Sequence, residues 1–393
     1  MMTRYEALSA LYEKWNAAAG TENVTLRECC GRIAAQDTAA LFDLPAVRAS
    51  SMDGIAVASE RFREGMPDTS SWKAGTDFVR TDTGDDFDDR FDAVIPVESV
   101  AFLPEGGIRI DGDVRVKKGT NVRPAGSTLR KGDVTVRRGT RLREEHAACL
   151  AMSGVSQVKV LKKPVVAFLP TGSELISPGE KPDRGQNFDS NSVMAEIMLR
   201  RMGAEPLCLP VVKDRRQELC AALHSALKRA DIVVINGGSS KGEEDFNTHI
   251  LREEGELICN GVRAVPGRPM SIALMEEKPV INLPGPPQAA FFGLEWCVKS
   301  LVCAMLGIPY QRRRHVMAFL EEDLYTPGDL EMFLRLDLSL GERGYAVRPA
   351  SSGAENIADM MSSDAFFVSS LGCRYYPAGC VIDVALCCEE DGI

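Results

Sequence analysis

The chain has 393 residues, 45% of them hydrophobic, and a formal net charge of -10 at pH 7. That length suits about two to four domains with full cores, and the acidic balance disfavours a general nucleic-acid binder. Residues 1–20 mix charge with apolar side chains (Arg4, Glu6, Glu13, Lys14) and hold no continuous apolar run. Neither a signal peptide nor a membrane span is expected there, and the cytoplasm is the expected location.

Residues 3–19 follow a helical period, with Tyr5, Leu8, Leu11, Tyr12 and Trp15 on one side and Gly20 as the stop. From 41 to 138 the texture changes to short alternating runs such as Ile108-Arg109-Ile110 and Val134-Thr135-Val136, separated by Gly, Asp and Pro. This predicts a small β domain of turns and short strands. Within it, Asp82, Asp85, Asp86, Asp88, Asp89 and Asp92 read as an exposed loop. A basic stretch at 115–143 (Lys117, Lys118, Arg123, Arg130, Lys131, Arg137, Arg138) reads either as a solvated face of hairpins or as an anion-steering rim. Residues 143–152 are helical again and end at Gly154, so 1–40 and 139–163 are expected to form one body, with 41–138 inserted.

A third texture begins at 164. A strand at 164–169 leads into Pro170-Thr171-Gly172-Ser173-Glu174, then a helix capped near Asp189-Ser190-Asn191 that ends at Gly203. A strand at 207–212, a helix at 216–230 and a β-branched strand ending at Asn236 follow. Such alternation predicts a doubly wound parallel sheet with ligands at the carboxyl ends of its strands. The loop Leu283-Pro284-Gly285-Pro286-Pro287 falls at such an end and opens a helix through Leu306, closed by Gly307. Residues 312–393 show only alternations such as Met332-Phe333-Leu334-Arg335-Leu336, which predict a compact β barrel or sandwich. The fold class is therefore multidomain, α/β plus β.

The most informative stretch is 231–245. A buried strand delivers Gly237-Gly238-Ser239-Ser240-Lys241-Gly242 and then Glu243, Glu244 and Asp245. Glycine lets backbone amides approach and point at an anion, while the carboxylates repel a bare phosphate unless a divalent cation bridges them. This predicts a Mg²⁺-assisted site for a phosphate-bearing ligand. Gly238 to Gly242 also fits G-x-S-x-G, the nucleophile elbow of serine hydrolases with Ser240 as nucleophile. That reading needs a downstream acid and then a His; His249 is too near, and His315 lies beyond the α/β region. Neither a Walker A nor a G-x-G-x-x-G motif is present. The twelve cysteines, several within apolar patterns (Cys149, Cys208, Cys220, Cys297, Cys303), read as reduced core thiols. The adjacent pairs Cys29-Cys30 and Cys387-Cys388 lack a second pair at zinc spacing.

The order of the loops carries a resemblance. Ser50-Ser51-Met52-Asp53-Gly54, Asp82-Thr83-Gly84, Asn121-Val122-Arg123-Pro124-Ala125-Gly126, Thr171-Gly172-Ser173-Glu174-Leu175, the 237–245 stretch, Pro266-Gly267-Arg268-Pro269 and Leu283-Pro284-Gly285 together resemble the molybdopterin molybdenumtransferase family, collinearly from about residue 5 to the end. The resemblance implies binding of adenylylated molybdopterin and molybdate with Mg²⁺, metal insertion and release of AMP. It implies an elongated homodimer whose cleft draws on both protomers, supplied by the adenylyltransferase of the preceding step, with no nucleic-acid or membrane partner. It assigns 1–40 with 139–163 to an elongated linker domain, 41–138 to an inserted β domain, 164–311 to a molybdopterin-binding-like α/β domain and 312–393 to a C-terminal β barrel.

Carried over by position, Asp53, Thr83, Glu174, Asp214 and Asp245 match the polar cleft residues, with Asp245 and Glu174 suited to Mg²⁺. Thr171, Gly172, Gly237, Gly238, Ser239 and Ser240 match phosphate loops, Arg268 a substrate cation, and Pro284, Gly285 and Pro287 a rigid wall. Local readings stand beside these: Asp53-Gly54 as a turn pair, Asp214 as a helix cap, Glu174 as a cap of its own loop. The chain departs from the family pattern at Gly261 and Val265, where basic residues are usual, at Thr128 for an acid and at Pro286 for an asparagine; Arg263 is placed to compensate. A carrier or scaffold that keeps the pocket without turnover is the alternative these departures raise.

Overall fold

The structure is a computed structural model that describes residues 1–104, 106–237, 246–350 and 357–388. It divides into two compact units, Thr21–Leu161 and Met1–Gly20 with Lys162–Ile393. Residues 1–20 thus cluster with the α/β region, not with 139–163, the partner that the change of texture suggested.

In the first unit, strands Thr21–Thr25 and Gln157–Leu161 pair antiparallel and tie its two ends together. Helix Glu144–Met152 covers a core that includes Val24, Leu142, Leu150 and Val158. A separate core of Ile55, Trp72, Phe78, Ile95 and Ile108 backs the sheet of Phe78–Thr81, Gly54–Val57 and Ala93–Pro96. Gly54 fixes how closely that sheet packs, because a Cβ there would lie 2.0 Å from the carbonyl oxygen of Ile95.

The second unit is built on a six-stranded sheet in the order Glu205–Cys208, Val165–Pro170, Ile232–Asn236, Lys278–Leu283, Ser271–Met275, Glu256–Asn260. The first four strands are parallel. Ser271–Met275 runs antiparallel to both its neighbours, Lys278–Leu283 and Glu256–Asn260, which corrects the all-parallel expectation at this edge. The reason is local: Glu276 and Glu277 adopt φ of 50° and 61° and join two strands as a tight two-residue hairpin, whose turn requires positive φ at both positions. Ala167, Leu169, Val233, Ile235 and Val280 bury one face under Leu219, Leu223, Leu227, Ile250 and Leu251 of helices Arg216–Leu227 and Phe246–Glu254. The alternate residues Val166, Phe168, Val234 and Ile281 are also buried, as a two-residue period requires. Helices Ser190–Met202 and Pro287–Gly293 pack there. The latter continues through a π-turn at Leu294–Val298 and helix Lys299–Met305 to Gly307, at φ 60°.

Helix Arg4–Tyr12 starts at a Thr3 capping box with Glu6 and buries Ala7 and Leu11. Its inner face is therefore offset from the expected one, and Tyr5 is 81% exposed. Beyond residue 312, strands Glu331–Gly341, Gly344–Pro349, His315–Leu320, Val381–Leu386 and Ala365–Val368 pair in turn, and the last pairs back to the first, closing a five-stranded barrel. Leu320, Leu336, Val347, Ile382 and Val384 fill it. Among the described residues no helix is long and apolar enough to cross a membrane. All twelve cysteines are free; Cys297 and Cys303 are buried, but Cys149 and Cys208 are exposed, so they are not core thiols.

Candidate active site

Sheet register sets the site. Pro170 is opposite Asn236, Asn236 opposite Leu283, and Asn282 opposite Ser271. The loops leaving these residues therefore share one edge of the sheet: Thr171-Gly172-Ser173-Glu174, Gly237, Pro284-Gly285-Pro286-Pro287 and the segment 261–270 that carries Arg268. Thr171 and Gly172 extend the edge, since Thr171 bridges to Val212 and the Gly172 N–H donates to the Val212 carbonyl at 3.0 Å.

Two glycines here are required by geometry. Gly237 has φ 125°, and a Cβ on it would lie 2.2 Å from the Thr171 carbonyl oxygen. Gly172 has φ 150°, and its Cβ would meet the Glu174 carboxylate at 2.8 Å. The Gly237 N–H donates to Leu283 O at 3.1 Å and the Thr171 N–H to Asn236 O at 2.8 Å, so these donors are used within the sheet. What the glycines allow is close packing of the strand-end loops: both are buried, with no room for a side chain. Gly238, Ser239, Ser240 and Asp245, with the rest of 238–245, lie outside the described residues.

Glu174 and Asp214 are exposed on the same loop system; Asp214 Oδ2 accepts from the Ser173 N–H at 3.2 Å, and the Asp214 N–H donates to Ser173 Oγ at 3.4 Å. Among the described residues no three His, Cys, Asp or Glu side chains form a metal cage. Two exposed carboxylates at this edge nonetheless fit Mg²⁺, which keeps several waters and takes only one or two protein carboxylates where phosphates complete its shell. Arg268 is exposed at the same edge, its Nε 3.4 Å from Met1 Sδ. Arg263 donates its Nε to the Asp329 carbonyl at 2.9 Å. Pro287 occupies the first turn of helix Pro287–Gly293, where its missing N–H has no helical partner to lose.

The sequence reading passed over four buried asparagines behind this edge. Asn236 Nδ2 donates to Pro284 O at 2.8 Å, Asn191 Nδ2 to Gly285 O at 2.7 Å and to Asn236 Oδ1 at 2.8 Å. Asn247 Nδ2 donates to Gly237 O and to Asn282 Oδ1, each at 3.0 Å. Their sequence signal is an amide at the end of an otherwise apolar strand (Asn236, Asn282) and in the first turn of the following helix (Asn191, Asn247).

Asp53 and Thr83 meet in the unit Thr21–Leu161. Asp53 Oδ1 accepts from the Thr83 N–H at 2.7 Å and its hydroxyl at 2.8 Å. The backbone bond first, then the hydroxyl, hold the carboxyl below its ordinary range. His315, the distant histidine of the hydrolase reading, bonds Asp383 at 2.9 Å between two barrel strands.

Comparison with known proteins places these loops. Residues 2–154 match the MoeA N-terminal region (domain I and II), and residues 167–302 match a probable molybdopterin binding domain. The molybdopterin molybdenumtransferase of Bacillus subtilis is 29% identical over 391 residues, spanning 95% of this chain and 91% of that protein. The chain belongs to the molybdopterin molybdenumtransferase family. The Haemophilus influenzae member of the family is 29% identical over 318 residues, 78% of each chain. The crystal structure of the molybdopterin biosynthesis MoeA protein from Pyrococcus horikoshii superposes with a TM-score of 0.82 at 26% identity, over 98% of this chain and 99% of that one. The strand-end loops fall in the binding-domain match, Asp53 and Thr83 fall in the N-terminal match, and the barrel lies beyond both.

Proposed function

We propose that this chain inserts molybdate into adenylylated molybdopterin with release of AMP, in molybdenum cofactor biosynthesis. The observation that carries the reading is the row of family loops on one strand edge, where two exposed carboxylates, Glu174 and Asp214, stand with the exposed Arg268. Gly172 and Gly237 let the loops of this edge pack closely, because a side chain at either would collide with its neighbour. Arg268 supplies a forked cation for phosphate or molybdate oxygens. Glu174 and Asp214, with Asp245, would offer hard oxygens to Mg²⁺, which would supply charge neutralisation for the substrate's phosphate. Asp53, kept ionised by Thr83, is the further carboxylate that the family likeness assigns to the substrate.

The same reading has the protein working as a cytoplasmic homodimer supplied by the adenylyltransferase of the preceding step. The test is direct: purified protein with adenylylated molybdopterin, molybdate and Mg²⁺ should release AMP, and omission of Mg²⁺ should stop it. Asp245→Ala should abolish the Mg²⁺-dependent release with an unchanged melting temperature; wild-type turnover in that variant would remove Asp245 from the metal site.

A second reading is a carrier. It is favoured by Gly261, held at φ 79° with its N–H donated to Met270 O at 2.9 Å, where a basic side chain is usual. Tight binding of adenylylated molybdopterin without AMP release would select it.

A further inference from the structure

The wall Leu283-Pro284-Gly285-Pro286-Pro287 has prolines at three of its five positions. Proline has no N–H, so this segment has few donors of its own with which to fasten itself, and its carbonyls must be held from outside. The structure shows how. Leu283 O accepts from the Gly237 N–H at 3.1 Å, Pro284 O from Asn236 Nδ2 at 2.8 Å, Gly285 O from Asn191 Nδ2 at 2.7 Å, and Pro286 O from the Ala290 N–H of its own helix at 3.0 Å.

The amide orientations follow from the partners. Asn236 faces the carbonyls of Leu283 and Pro284 with its NH₂, so its oxygen faces Asn191. Asn191 then lies between two acceptors and must present its NH₂ to both. Its own oxygen is buried and has no hydrogen-bond partner among the described residues. A buried acceptor left unmet is unfavourable, and an apolar side chain would avoid it. Asn191 is 7% exposed and Asn236 3%, so neither is there to meet solvent.

We propose that Asn191 is a positioning residue: as a double amide donor it ties the first turn of helix Ser190–Met202, the end of strand Ile232–Asn236 and Gly285 into one clamp that sets the substrate-facing wall. This chain depends on the clamp because Pro286 stands where the family carries asparagine, which removes from the wall both a backbone N–H and a side-chain amide. The inference rests on the proposed function for the meaning of the wall, but the clamp is measurable without substrate.

Asn191→Asp keeps shape and replaces the donor by an acceptor. A buried carboxylate facing two acceptor oxygens costs stability, only partly offset by the helix dipole in the first turn, so the melting temperature should fall. In the ligand-free variant, amide hydrogen exchange at Gly237, whose N–H is bonded to Leu283 O, should accelerate about 10- to 100-fold beyond any change at core-strand amides, since the opening of one anchored segment is a local event. With substrate, KM for adenylylated molybdopterin should rise about 10- to 100-fold, the scale of a roughly 1 Å misplacement, with kcat less affected. A merely structural lesion would instead lower the active fraction, and so kcat, at constant KM. Asn191→Ser, smaller and uncharged, should show the same pattern should the aspartate variant fold poorly. Wild-type exchange at Gly237, relative to core-strand amides, in both variants would overturn the clamp. Absence of substrate binding by the wild type would sink the functional reading, while the exchange measurement still decides the clamp.

Discussion

Asp53 Oδ1 receives both hydrogen-bond donors of a single residue, the N–H of Thr83 at 2.7 Å and its hydroxyl at 2.8 Å. The pair joins the loop before strand Gly54–Val57 to the loop after strand Phe78–Thr81, strands that are themselves antiparallel neighbours. Because both bonds favour the charged carboxyl, they hold it below the ordinary range. Thr83→Val keeps the N–H and deletes the hydroxyl. Asp53 should then titrate closer to an ordinary aspartate, and the acid limb of the pH profile for AMP release should move to higher pH. Thr83→Ser should return it. Identical acid limbs for wild type and Thr83→Val would remove Asp53 from the pH-controlling group.

The glycines of the strand edge should respond unequally to a methyl group. At Gly237 an alanine Cβ would stand 2.2 Å from a backbone oxygen at φ 125°, and backbone cannot step aside. Gly237→Ala should therefore destabilise by about 3 kcal/mol or more, the upper range for a strained backbone site. At Gly172 the obstacle is the end of the Glu174 side chain, which can rotate away. Gly172→Ala should lose about 1–2 kcal/mol and act mainly by displacing Glu174, raising the Mg²⁺ concentration needed for AMP release. Urea unfolding and a Mg²⁺ titration of the two variants separate the effects; equal destabilisation would mean the Thr171 loop relaxes freely.

Much of this edge is legible in the sequence. Thr171, Gly172, Gly237 and Pro284 sit where β-branched or apolar runs give way to Gly and Pro, and a parallel sheet puts such transitions at one edge. Other features needed the register. Asn191 and Asn236 are 45 residues apart and meet only because Asn236 lies opposite Leu283, one residue before the loop whose next carbonyls they hold. Of the glycine-rich stretch only Gly237 is described, and its N–H, like those of Thr171 and Gly172, is used between neighbouring strand-end segments. Tyr5 fits a helical stripe, yet Thr3 starts the helix in a phase that buries Ala7 and Leu11. Period alone fixes a face only to within a residue.

Glu295 is 5% exposed and lies between two cations, with Arg313 2.8 Å from one carboxyl oxygen and Lys299 2.9 Å from the other. Burial by itself would raise its carboxyl; the Arg313 bond and charge and the Lys299 charge outweigh it and hold it below the ordinary range. A carboxyl depressed in the folded state contributes stability above its unfolded value, lost as pH falls through the folded one. Urea midpoints of the wild type should therefore drop on acidification below the ordinary glutamate range. Glu295→Gln should flatten that dependence and lose about 3–5 kcal/mol near neutrality, because two buried cations lose their counter-charge. A variant with the wild-type pH slope would show that other carboxylates govern it.

The two departures on segment 261–270 should differ in reversibility. Gly261 adopts φ 79°, where a side chain is strained, and its Cβ would lie 3.2 Å from the Met1 side chain and 3.4 Å from Arg268 O. Gly261→Lys should therefore lose about 1–3 kcal/mol of stability, and any gain in substrate affinity would come with a lower urea midpoint. Val265 is different: half-buried in a short strand opposite Met332, it is not at positive φ, although its bond to Pro266 is cis, and a long basic side chain can leave its apolar stem there and carry its charge outward. Val265→Lys should leave the urea midpoint near wild type and lower KM for adenylylated molybdopterin on the order of fivefold, the ~1 kcal/mol of a contact charge pair in water. High salt should erase the gain. An unchanged KM in Val265→Lys would mean that this strand does not face the anionic end of the substrate, and that Arg268 meets it from the loop without help.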